Sequence, residues 1–266
     1  MRVPTGMKLV NTLLGGWTAL MLLFLYLPIV VLVVYSFNRS DVGTQWTGFT
    51  LHWYRELFAT DSLDLLVPMR NSLIVAAIVT VISTVLGTLG AWLMHQYTYR
   101  FAAALRALIY TPMIVPEVIM GVSFLIFFKS IGIEHGMTRV ILAHITFCFP
   151  FVLVAVQARL AGLDPALQEA ALDLGATPMK AFLLVIVPYL MPAIVSGALM
   201  SFTLSMDELV VTWFTYDFES KTLPVRVFEL ARKGPKTDLN VVSAIFIIGT
   251  VLLVVLLELA RRWRRA

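Results

Sequence analysis

Charge is scarce in this chain. Lys and Arg number 20 and Asp and Glu 16 among 266 residues, 14% in all, against roughly 25% in an ordinary soluble domain. Apolar residues make up 59% of the sequence, and the mean hydropathy is +0.88. A water-soluble core of this size cannot hide so much apolar surface behind so few charges, which excludes a soluble enzyme or a soluble nucleic-acid binder. Disorder is excluded as well, because its compositional mark is low hydrophobicity. Cysteine is almost absent, and the single Cys148 can form no intrachain disulfide. His52, His95, His135 and His144 are scattered, and no Cys or His cluster has metal-ligand spacing, so no metal, cofactor or catalytic set is expected. The phosphate loop Gly-x4-Gly-Lys-Ser/Thr is missing, so the chain is not expected to bind ATP itself.

What the chain has instead is long apolar runs, at 17–37, 72–94, 107–128, 140–158, 181–204 and 240–259. The charges within them are Glu117 and Glu258. Each run as a helix is long enough to cross a hydrocarbon core of about 30 Å. Barrel strands would be about half that length and would alternate in polarity. The expectation is an all-α polytopic membrane protein: one transmembrane domain over 1–266 with six transmembrane helices. Arg2 and Lys8 precede an uncharged stretch longer than a signal core, and no small-x-small cleavage site follows, so the first run is read as a retained span.

Six spans put both termini on one side. Lys and Arg divide evenly between the two sides, but charges close to span ends carry the most weight. Arg261, Arg262, Arg264 and Arg265 directly follow the last span and favour a cytoplasmic C-terminus. This basic flank also accounts for much of the isoelectric point near 9.3, which needs no nucleic-acid partner to explain it. Proline at 28, 112, 116, 150, 188 and 192 permits kinks. Small residues recur every fourth position at Ser83, Gly87, Ala91 and at Ala193, Gly197, Ser201, Ser205. Such stripes suit either close bundle packing or a moving, pore-lining face.

The inner loop between the fourth and fifth spans is the most informative stretch. Asp164-Pro165 reads as a helix start, a side-chain cap followed by proline at the first helical position. Gly175 suits the left-handed residue that ends a helix, and Thr177-Pro178 is a second start. A short helix within 163–176 is therefore expected, with Leu163, Leu167, Ala170, Ala171 and Leu174 near one face, which suits either docking on a partner or lying on the lipid surface.

Glu169-Ala170-Ala171, three residues, Gly175 and then Val185-Ile186-Val187-Pro188 resembles the EAA loop of type I ATP-binding-cassette importer permeases. The family pattern prefers Ile and Leu where this chain has Val185 and Val187. Tyr35-Ser36-Phe37-Asn38, Trp53-Tyr54 before Leu57-Phe58, Asn71-Ser72-Leu73, Ser205-Met206-Asp207-Glu208-Leu209-Val210 and Thr222-Leu223-Pro224 extend the likeness over nearly the whole chain. In detail they are most similar to the spermidine/putrescine permease branch. The resemblance implies the type I importer permease fold in a bacterial inner (plasma) membrane, with both termini cytoplasmic. It implies as partners an ATP-binding-cassette ATPase dimer, a second, homologous permease subunit and a periplasmic substrate-binding protein. It assigns Glu169, Ala170, Ala171 and Gly175 to a coupling helix that meets the ATPase, and implies ATP-driven import of polyamines.

Glu117 is a charge deep in a span and should face protein or water rather than lipid. It reads either as a pathway ligand for a cation or as a hydrogen-bonded acid at a kink. Asp207 and Glu208 end the fifth span, with Trp213, Phe214 and Tyr216 close behind. Carboxylates with aromatic faces suit an ammonium ion. A solvated helix end with an interfacial aromatic belt is the plainer reading. The expected substrate pathway is Glu117, Asp207, Glu208, Trp213 and Tyr216. Other readings left open are a permease of the same type for another small solute such as an amino acid or opine, a passive cation channel, and a membrane enzyme. His144 and Cys148 stand one turn apart, without evident partners for metal or acyl-transfer chemistry.

Overall fold

A computed structural model describes residues 5–41, 45–60, 64–97, 100–234 and 237–263, with side chains for 12–41, 45–57, 64–97, 100–234, 237–249 and 252. The side chains of Phe58, Glu258, Arg261 and Arg262, and all of Arg2, Arg264 and Arg265, lie outside the described part; for Lys8 only the backbone is described. The described chain is helical, with one isolated bridge between Asn38 and Phe49.

The helices in order are α1 (Thr5–Tyr35), α2 (His52–Thr60), α3 (Leu66–Gln96), α4 (Ala102–Ile114), α5 (Glu117–Ser130), α6 (Gly136–Leu160), α7 (Pro165–Asp173) and α8 (Pro178–Ala181). A π-helical turn, Phe182–Ile186, continues α8 into α9 (Val187–Asp207). Then come α10 (Val210–Thr215), α11 (Leu223–Arg232) and α12 (Thr237–Trp263). Four stretches are long and apolar enough to cross a bilayer as single helices: Thr12–Tyr35, Leu66–Gln96, Gly136–Leu160 and Pro178–Asp207. The sixth expected run lies in α12, whose described apolar part is Thr237–Gly249.

The third expected span, 107–128, is not one helix. α4 and α5 meet at 109°. The cause is local: Pro116 offers no N–H and forces the residue before it out of the helical region, and Val115 is extended at φ −69°, ψ 131°. Glu117 is thereby the first residue of a new helix rather than a charge within a continuous one.

The chain forms two compact units, 1–64 with 227–266, and 65–226. In the first, the residues singled out by resemblance hold a loop. Ser36 Oγ and Tyr54 Oη share a hydrogen bond of 2.7 Å, and Phe37 stacks on Tyr54 at 5.2 Å. The buried Asn38 side chain accepts from the Thr47 N–H at 2.9 Å and donates to the Gln45 carbonyl at 2.6 Å, while Trp53 Nε1 donates to the Asn38 carbonyl.

In the second unit α3, α6 and α9 pack on one another. Val152 of α6 stands between two glycines of the small-residue stripes. A Cβ on Gly87 would lie 2.7 Å from Val152 Cβ, and one on Gly197 3.0 Å from Val152 Cγ1. Ser83, Ala91 and Ser201 are fully buried. Within this unit the stripes therefore serve close packing, the contact that drives helix association where lipid removes the hydrophobic incentive.

Candidate substrate pocket and coupling surface

Chain breaks create the pocket. α5 begins at Glu117 after the proline break, and α9 ends at Asp207, with only Glu208 and Leu209 between it and α10. Glu117, Asp207 and Glu208 converge on one pocket of about 190 Å³, whose other walls are Phe147, Leu204, Leu209 and Val210. No Lys, Arg or His lines it, and none of the three carboxylates makes an ion pair among the described residues. Glu117 suits its place at a helix N-terminus, where the dipole favours an acid, whereas Asp207 at a C-terminus is opposed by it. Such negative charge in a confined site favours a cation.

Glu208 has a second job. Its side chain is 6% exposed, and Oε1 accepts the Val211 N–H at 2.8 Å, closing the first turn of α10. Trp213 and Tyr216 stand apart from the pocket lining; their rings lie 5.9 Å apart, and Tyr216 packs against the core around Val140 and Val211. The aromatic side chain on the pocket is Phe147, which no spacing rule singled out.

α10 is held from several sides. Gly121 of α5 admits Phe214, whose Cδ2 would lie 2.5 Å from a Cβ there. Gly136 opens α6 and leaves room for the Asp217 carboxylate, which accepts its N–H at 2.7 Å. Arg139 Nε donates to the Thr215 carbonyl at 3.0 Å. Burial pushes the Asp217 carboxyl up, but the Ser220 hydroxyl and N–H, the Gly136 N–H and the Arg139 charge outweigh it and hold the group below the usual carboxylate range. Farther along, Asn71 Nδ2 donates to the carbonyls of Glu219 and Lys221, and Ser72 Oγ accepts the Leu223 N–H at 2.9 Å. Asn71-Ser72 and Leu223, singled out by resemblance, are thus joined across 151 residues through the Ser72 hydroxyl, with Asn71 holding the turn just before Leu223. Gly121, Gly136, Arg139 and Asp217 carried no signal in a single sequence, because each matters only through a residue distant along the chain.

The short helix forms as its caps dictate. Asp164 Oδ1 accepts the Ala166 N–H at 3.0 Å, and Pro165 takes the first helical position of α7. At the other end Gly175 has φ +85°, its N–H bonds the Leu172 carbonyl at 2.9 Å, and the Ala176 N–H bonds the Ala171 carbonyl at 3.0 Å. This is the Schellman closure, and it requires a left-handed residue. Thr177 Oγ1 caps α8 through the Lys180 N–H. Tyr189 of α9 ties the loop down: its hydroxyl donates to the Gly162 carbonyl at 2.8 Å, and the Arg159 guanidinium lies 4.3 Å from its ring centre. Of the expected apolar face, Leu163 is buried in the bundle, Ala171 is half-buried, and Leu167 and Leu174 are exposed, Leu174 at 89%. Glu169 and Ala170 are exposed as well.

Residues 83–265 match the family model described as binding-protein-dependent transport system inner membrane component. The chain is 37% identical over 239 residues to the spermidine/putrescine transport system permease protein PotC of Haemophilus influenzae, covering 90% of this chain and 92% of that protein. It is 38% identical over 235 residues to the putrescine transport system permease protein PotI of Escherichia coli, covering 86% and 83%. Among solved structures, a bacterial ABC transporter that imports the acidic polysaccharide alginate has a chain sharing the fold, with a TM-score of 0.75, 14% identity and 99% of both chains covered.

Proposed function

The chain belongs to the family of binding-protein-dependent transport system inner membrane components, and from that membership we propose that it is the permease subunit of an ATP-driven importer of polyamines such as putrescine or spermidine. The observation that carries the substrate class is the convergence of Glu117, Asp207 and Glu208 on one pocket with no basic residue in its wall. A polyamine offers two or more ammonium groups on an apolar chain, matching carboxylates set beside Phe147, Leu204 and Val210. The names of the relatives at 37% and 38% identity support the same class. The wall is unfavourable for an anionic solute.

The permease has no ATPase site of its own in this reading. α7, with Glu169, Ala170, Ala171 and Gly175, docks on an ATPase subunit at the cytoplasmic face, and both termini lie on that side. Exposed Leu167 and Leu174 are what such a dock needs, and a passive channel has no use for them. ATP binding by the partner dimer moves α7 and switches the spans from inward- to outward-facing. A second, homologous permease completes the pathway, and a periplasmic binding protein delivers the substrate.

The test is uptake of labelled putrescine by cells carrying the full transporter, with amino acids, sugars and other polyamines as competitors. Polyamines alone should compete, and Asp207→Asn or Glu117→Gln should lower uptake about tenfold, the effect of one lost charge-assisted contact, with normal amounts of complex in the membrane. Absence of polyamine uptake by the parent would reject the substrate class, and unchanged kinetics in both variants would reject the acidic pathway.

A further inference from the structure

A buried polar chain stands behind the acidic pocket. His144 of α6 is 1% exposed, and both ring nitrogens are engaged: Nδ1 lies 2.9 Å from Ser205 Oγ on α9, and Nε2 lies 2.7 Å from Thr212 Oγ1 on α10. The Thr212 hydroxyl has one proton, and it donates that proton to the Glu208 carbonyl at 2.9 Å. Toward His144 it can therefore only accept, so Nε2 carries the hydrogen. In the neutral ring Nδ1 is then bare and accepts the Ser205 hydroxyl. One side chain on the continuous helix α6 thus grips both sides of the break between α9 and α10. That break carries Asp207 and Glu208, and Glu208 is held twice, through its carbonyl by Thr212 and through its carboxylate by the Val211 N–H.

We propose that His144 is the positioning residue of the acidic pocket, acting through Ser205 and Thr212 to fix the break between α9 and α10 so that Asp207 and Glu208 face Glu117. The roles are separable. His144 does not line the pocket and touches no substrate there; it sets where the carboxylates stand. The arrangement tolerates no apolar replacement. An apolar residue at 144 leaves two hydroxyls without their partner in a buried site, and Thr212→Val removes the link to Glu208 while keeping the volume. Thr212→Ser keeps the hydroxyl and with it the whole chain of bonds. The inference rests on the reading of this pocket as the pathway, but its test needs no substrate, so it stands or falls apart from the polyamine assignment.

A reporter cysteine at Val210, on the pocket wall, is introduced into the full-length chain with Cys148→Ala and labelled in membranes with a cationic methanethiosulfonate reagent. Phe218→Cys, on an exposed loop position, serves as the control for general loosening. His144→Leu and Thr212→Val should each change the labelling rate at Val210→Cys about tenfold, the population shift expected from one lost buried hydrogen bond, with no change at Phe218→Cys. Thr212→Ser should restore the parent rate. The proposal is overturned if His144→Leu labels like the parent, or if Thr212→Val and Thr212→Ser shift the rate equally. Should His144→Leu fail to accumulate, the Thr212 pair decides alone.

Discussion

Asp217 shows how a single side chain is tuned here. Its carboxylate collects the Gly136 N–H at 2.7 Å and the Ser220 N–H and hydroxyl at 2.9 and 2.6 Å, bonds that favour the ionised form. A carboxyl held below its unfolded value stabilises the native state above the unfolded value, and that stability is lost as pH falls through the native one. Asp217→Asn should therefore lower the thermal midpoint of the purified protein at neutral pH. The gap to the parent should close as pH is taken below about 4, where ordinary carboxylates protonate. A constant gap at all pH values would mean that packing, rather than charge, holds the loop to α6. The pocket acids divide similarly by environment: Glu117 and Asp207 are exposed in the isolated chain, while Glu208 is buried and spends one oxygen on the backbone of α10.

Among the elements, α7 is legible in the sequence alone. Asp164-Pro165 and Gly175 are local signals, and a cap needs only its own few residues to act. The break between α4 and α5 was legible only in part. Pro112 and Pro116 announced a kink, but a bend of 109° depends on what the second half packs against, here α10 through Gly121 and Phe214. The π turn at Phe182–Ile186, ahead of Pro188, had no sequence signature beyond that proline. Gly175→Ala places a Cβ at φ +85° and should strain the α7 closure by roughly 1–2 kcal/mol. Transport-coupled ATPase activity should fall several-fold while the membrane level of the protein holds. Full coupled activity would show that the closure of α7 does not matter to the dock.

For the molecule as a whole, exposure of apolar side chains is the dominant feature. Leu23 and Phe24 of α1 are 66% and 76% exposed, as suits helix faces in lipid. Leu174, at 89%, stands bare on the short capped loop that follows α7, and under the proposed coupling role it is the side chain an ATPase would cover. Mild-detergent purification of the tagged chain should bring down an ATPase and a second permease in stoichiometric amounts, and removal of two exposed leucines on and just after α7 (Leu167→Ser with Leu174→Ser) should release the ATPase first. Retention of the ATPase by that double variant would move the dock elsewhere.

The sequence by itself determined the solvent of this protein, its apolar runs, the capped helix between two of them and the acids worth testing. These follow from composition, periodicity and caps, which act over a few residues. Only the tertiary structure decided that Glu117, Asp207 and Glu208 share one pocket while Trp213 and Tyr216 lie outside its lining, and that His144 stands behind it with both nitrogens engaged. Those relations join residues up to 91 positions apart (Glu117 to Glu208). They depend on how broken helices turn back on one another, and hydrogen-bond partners so distant leave no periodicity in a single chain to read.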